Sequence, residues 1–233
     1  MAGATEHDAH HGKSWLQHHF DTPVQQFDTA KLGMWLFLAQ EVLFFSGLFV
    51  AYGVFRVNYP EAFEAGSHQL DRIIGGFNTC VLLISSFTAA MAVRSAQLGD
   101  RKWVSNHLLI TIVCAFAFLV VKYFEYQQKI HHGLLPGSLW DPHLAELHPW
   151  LEGQTVVTHL PEKTHVFFGI YFVLTGLHGI HVAIGIGVLA WVWYRNQRGH
   201  FSKEFWTPVD IAALYWHLVD LVWIYLFPLI YLI

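Results

Sequence analysis

The stretch KLGMWLFLAQEVLFFSGLF, residues 31–49, decides how the rest of the chain is read. It is almost wholly apolar, yet Glu41 sits near its middle with no basic residue within nine positions. A carboxylate is expensive to bury ionised in such a segment, so it must be protonated, paired with another helix, or turned to a polar cavity. The surroundings of Glu41 are therefore the question put to every other segment.

Composition places those segments in lipid. Of 233 residues, 54% are hydrophobic and only 13% charged, against about 25% charged in an ordinary soluble domain. Five apolar stretches each have the roughly 20 helical residues that a ~30 Å hydrocarbon layer requires. They run over about 30–57, 72–98, 103–130, 164–194 and 208–233. Asn58-Tyr-Pro60 opens a short acidic loop after the first. Only Gly99-Asp-Arg-Lys102 separates the second from the third, which predicts an antiparallel hairpin.

The predicted fold is all-α, a single bundle of five transmembrane helices forming one membrane domain over 30–233. Residues 1–29, with His7, His10, His11, His18 and His19, read as a solvated tail without an apolar signal-peptide core. Residues 131–163 are rich in Pro, Gly, His and acid and read as an extramembrane loop, with a short helix near Pro142–Leu147. No basic run points to nucleic acid, and no internal repeat points to a duplicated transporter. Cys80 and Cys114 lie inside apolar segments and read as packing residues.

Orientation follows from the basic residues. Lys13, Lys31, Arg94, Arg101, Lys102, Arg195, Arg198 and Lys203 belong to the side shared by the N-terminus and the two short loops. Arg56, Arg72, Lys122, Lys129 and Lys163 belong to the other. The larger set predicts an N-terminus inside and a C-terminus outside.

Four polar groups interrupt the spans. Besides Glu41 there are Lys122 with Glu125, His178 with His181, and His217 with Asp220, each pair three residues apart and so on one helical face. Histidines on facing helices can ligate a b-type haem, and carboxylate–histidine sets can hold two irons. A di-iron set needs Glu-x-x-His on two helices, whereas this chain offers His-x-x-Asp on one. A small b-type cytochrome built on His178, His181 and His217 stays open, as does a proton or ion pathway. An interhelical hydrogen-bond network beside Gly176, Gly179, Gly185 and Gly187 is favoured by residue types alone. Arg195 and His200, beyond the fourth span, read as ordinary positive-side residues or as holders of a lipid phosphate.

Several of these motifs together resemble subunit III of the haem–copper oxidases. They are Gly33-Met-Trp-Leu-Phe-Leu with Glu41-Val-Leu-Phe-Phe, Asn78-Thr79, Gly99-Asp-Arg-Lys102 and Glu125-Tyr126. Thr175-Gly-Leu-His-Gly-Ile-His-Val, Tyr194-Arg195 with His200-Phe201, and Tyr215-Trp-His-Leu-Val-Asp-Leu-Val-Trp223 complete them in order.

The resemblance implies a non-catalytic subunit of a proton-pumping terminal oxidase in a bacterial cell membrane. It implies no haem, copper or other metal on this chain, haem and copper on partner subunits, and bound phospholipid. The expected partners are the catalytic subunit I, subunit II and a cytochrome c domain near the 131–163 loop, with a quinol oxidase or a nitric oxide reductase-associated homologue as the alternative complex. Glu41 matches the family's buried membrane glutamate, and Arg195 and His200 match positions that meet a lipid head group. Glu125, His178, His181, His217 and Asp220 are expected to hydrogen-bond between helices. Two departures stand out: the seven-helix form has two helices before the first span, and the 131–163 loop is longer than the family's.

Overall fold

The computed structural model describes residues 16–17, 19–137, 140 and 160–233. Six helices occupy most of them: α1 (Pro23–Asn58), α2 (Pro60–His68), α3 (Arg72–Leu98), α4 (Arg101–His131), α5 (Thr164–Gln197) and α6 (Thr207–Tyr231). All but α2 are long and apolar enough to cross a membrane.

Two boundaries differ from the expectation. α1 begins at Pro23, inside the segment read as a solvated tail. Thr22 caps it, its Oγ1 accepting from Gln25 N at 3.1 Å, and Pro23 fills the first helical position, where its missing N–H costs nothing. The added turns are held by Phe27 against Trp206 and by Lys31, which pairs with Asp210 at 3.2 Å. The acidic segment after Tyr59 is α2 rather than a loop. Pro60 again starts the helix, and Ala62, Phe63, Ala65 and Gly66 form one buried face. Phe63 meets Phe167 of α5 edge-on at 5.3 Å. The helix proposed near Pro142–Leu147 and the histidines at 7, 10, 11 and 18 lie outside the described residues.

The α3–α4 hairpin is closed by two residues. Gly99 ends α3 at φ 79°, a left-handed conformation that a side chain resists, while Asp100 N reaches back to Ser95 O at 3.0 Å. Asp100 then caps α4 by accepting from Lys102 N and Trp103 N. After α5, Gly199 at φ 76° and His200 N on Arg195 O at 3.2 Å repeat the device.

The four helices α3, α4, α5 and α6 form a ring in which each packs on the next and α6 closes on α3. α1 lies outside it against α6 and α5, and α2 against α5. Trp216, Trp223, Phe118, Leu108 and Val182 fill the centre and are buried. α5 and α6 approach closely at Gly185, where an added Cβ would stand 2.8 Å from the Trp216 ring. The outer surface is apolar: Leu36, Leu43, Ile73, Phe87 and Phe116 are all more than half exposed. That surface suits hydrocarbon, and the backbone groups within these helices are satisfied along each segment.

Candidate functional site: three polar clusters between the helices

The polar residues inside the spans are distributed over three separate interfaces. The first joins α1 to α5. Glu41 Oε2 lies 3.0 Å from His181 Nε2, and His181 Nδ1 lies 2.8 Å from the Leu177 carbonyl one turn back. Because a carbonyl only accepts, Nδ1 carries a proton. Nε2 then either takes a hydrogen bond from the protonated carboxyl or donates to the carboxylate. Tyr215 donates to the His181 carbonyl at 3.1 Å, and Phe44 and Phe45 pack on the imidazole.

The second cluster joins α4, α5 and α6. Glu125 and Lys122, one turn apart, pair at 2.9 Å. Glu125 Oε1 also accepts from Tyr171 at 2.8 Å and Tyr231 at 2.5 Å, and Lys122 donates to the Tyr231 oxygen at 2.5 Å. The ammonium sits over the rings of Trp223 at 4.7 Å and Tyr231 at 5.1 Å. Every strong donor and acceptor of the pair is therefore used, which is what a buried ion pair requires. Nearby, Lys129 donates to the Gln69 carbonyl, and Tyr126 meets Thr175 at 2.5 Å.

The third cluster joins α3 to α6. Ser86 meets His217 Nδ1 at 2.7 Å, Trp216 donates to Ser85 Oγ at 3.0 Å, and Ser85 lies 3.5 Å from Asp220 Oδ2. Thr88 and Thr111 link α3 to α4 at 2.8 Å.

One expectation fails. His178 makes no interhelical hydrogen bond: neither of its ring nitrogens has a partner among the described residues. Its ring is instead packed between Phe118, edge-on at 5.6 Å, and Trp223 at 5.3 Å. The spacing shared with His181 misled, because a three-residue step stops about 60° short of a full turn and carries the two imidazoles to different neighbours. Asp220 is only half served, with Oδ1 unpartnered among the described residues. His178, His181 and His217 thus have distinct surroundings and do not face a common space. Among the described residues no group of three or more His, Cys, Asp or Glu side chains is placed to hold a metal ion.

At the opposite end from α2, Arg195 lies over the rings of Trp191 at 5.1 Å and Phe201 at 6.0 Å, and His200 is exposed beside it. Sequence reasoning missed Tyr171, Tyr231, Tyr215, Ser85 and Ser86. Tyrosines and serines in an apolar run carry no signal until the facing helix is known.

A family model for cytochrome c oxidase subunit III matches residues 8–132 and 159–233, spanning every helix and leaving out only part of the α4–α5 connection and the extreme N-terminus. The chain belongs to this family. It is 31% identical to cytochrome c oxidase subunit 3 of Synechocystis sp. over 88% of this chain and 76% of the relative. It is 31% identical to that of Thermostichus vulcanus over 88% of each. The corresponding subunit of Corynebacterium diphtheriae is 31% identical over 87% of each chain. Subunit III in this family carries no redox cofactor and is not itself catalytic. The gap in the family match, 133–158, falls within the long connection noted in the sequence.

Proposed function

We propose that this chain is the non-catalytic subunit III of a proton-pumping haem–copper oxidase in a bacterial cell membrane, where it packs on the catalytic subunit and sustains its turnover. The observation that carries the reading is the family match along all the helices. The interior agrees with it: Glu41, Glu125, His181 and His217 are engaged in contacts between helices, as a scaffold requires.

Arg195 and His200 hold a lipid phosphate at the inner end of the bundle in this reading. The guanidinium, flanked by Trp191 and Phe201, has the amphipathic setting of an interfacial anchor. The N-terminus lies inside, as the distribution of basic residues indicates. The α4–α5 connection then belongs to the outer side, where a cytochrome c domain docks, and Trp140 within it packs on Phe168 and His165.

The test is removal of the chain from the purified oxidase. The haem absorbance is expected to remain while activity decays during turnover; loss of the absorbance itself would refute the reading. Mass analysis of the intact cross-linked complex identifies the neighbouring subunits, the retained lipids and what lies against the 131–163 connection. Contact of that connection with lipid alone would remove the cytochrome c assignment.

A further inference from the structure

Where the α3–α4 and α5–α6 turns meet, the end of the bundle holds an open cavity of ≈ 290 Å³ lined by Arg101, Lys102, Ser105, Asn106, Asn196 and Gln197. Its floor is buried: Ser105 is 8% exposed and Asn196 2%. Its rim is exposed and carries both cations. Asn196 spends its Nδ2 protons on the Arg101 carbonyl at 2.9 Å and on Ser105 Oγ at 2.8 Å. Ser105 therefore accepts there and keeps its own proton to donate. Among the described residues the Asn196 Oδ1 is left without a partner, buried beneath the floor.

The cations are positioned and unneutralised. A Cβ on Gly199 would stand 2.7 Å from Arg101 Nη1, so the guanidinium rests on the bare backbone of the neighbouring turn. Among the described residues neither Arg101 nor Lys102 has a carboxylate within ion-pair distance. The nearest acid in sequence, Asp100, is turned into the backbone as the α4 cap. Arg195, one residue from Asn196, is directed away onto Trp191 and Phe201, so this cavity is separate from the position proposed above for a lipid phosphate.

An arginine fork, a lysine, two side-chain amides and a hydroxyl around one cavity are the donors that a phosphoryl oxygen array accepts from. The adjoining surface of α4 is apolar and exposed at Leu109, Ile110 and Val113, with Trp103 exposed beside the rim. A helix end of this composition lies at head-group depth. We propose that this cavity binds a phosphate anion, carried by an anionic phospholipid head group or free in solution, with Arg101 and Lys102 as its cations.

Native mass spectrometry of the detergent-solubilised oxidase complex tests it, with chain-deuterated phosphatidylglycerol as one probe and inorganic phosphate as the other. The variants are Arg101→Gln and Lys102→Gln, exposed positions whose backbone contacts persist. Wild-type complex is expected to hold one more deuterated lipid than the double variant, with apparent affinity falling roughly fivefold for each cation removed. A difference with the lipid identifies a head-group site; a difference with phosphate alone identifies a free-anion site. Equal binding of both probes by wild type and double variant overturns the proposal. Subunit content and haem absorbance of the same samples report assembly separately, so this result is distinguishable from failure of the subunit reading.

Discussion

At the scale of single residues, the buried acids show how one charge type is handled in two ways. Glu41 has one strong partner, His181, whose other nitrogen is committed to Leu177. Glutamine keeps that link, because its amide can donate to Nε2 of an imidazole protonated at Nδ1. Glu41→Gln is therefore expected to leave assembly and haem content of the complex unchanged, whereas Glu41→Leu orphans Nε2 and destabilises by about 1–3 kcal/mol. Thermal inactivation of the two variants checks this, and abolition of proton pumping by Glu41→Gln would contradict a scaffold role for the residue. Glu125 is held instead by Lys122, Tyr171 and Tyr231 at once. Lys122→Met leaves its carboxylate uncompensated and is expected to cost about 3–5 kcal/mol. Adding Glu125→Leu should recover much of that loss, since a buried ion pair replaced by apolar groups is often neutral. The thermal midpoints of both single variants and the double variant close the cycle; equal losses in Lys122→Met and the double variant would show that the pair is not the source.

At the scale of elements, the five long helices were legible because 20-residue apolar runs have few alternatives in a chain this poor in charge. The hairpin at Gly99-Asp100 was legible because only Gly99-Asp-Arg-Lys102 separates the two apolar runs, and a left-handed glycine followed by a cap is what closes it. α2 and the first turns of α1 were not, because each is short and its stability comes from partners distant in sequence: Phe167 for Phe63, Trp206 and Asp210 for Phe27 and Lys31. The same limit applied to the polar clusters. Lys122 and Glu125 were pairable from their spacing, but the spacing of His178 and His181 promised a shared role that their surroundings deny. Gly185 belongs to this scale as well. In the sequence it stands among the glycines beside the polar network, and the Trp216 ring carbons lie 2.8 Å from the position of an added Cβ. Gly185→Ala is expected to force α5 from α6 and destabilise by about 1–3 kcal/mol, while Gly187→Ala, with nothing within 4 Å, should be silent. Comparable midpoints for the two alanine variants would mean that the α5–α6 contact repacks freely.

At the scale of the whole molecule, the packing is uneven. α3 to α6 close a ring around Trp216 and Trp223, whereas α1 rests on its outside with few polar ties. Those ties are spread along its length: Lys31 to Asp210 near one end, Glu41 to His181 in the middle, and the Tyr52 hydroxyl to the Leu229 carbonyl beyond it. The last bond takes a carbonyl from the final turn of α6, where the helix ends at Tyr231 and no following helical N–H remains to occupy it. A helix attached at isolated points opens as a unit while the ring stays shut, because opening free energies follow local contact density. Tyr52→Phe combined with Glu41→Leu should therefore raise amide hydrogen exchange across α1 in the solubilised complex, with α4 and α6 unchanged. Each lost tie removes about 1 kcal/mol from the opening cost, so exchange in α1 should accelerate roughly thirtyfold for the pair. Uniform acceleration across all the spans would show that α1 is part of one cooperative core, and no acceleration would show that apolar contact alone holds it to α5 and α6.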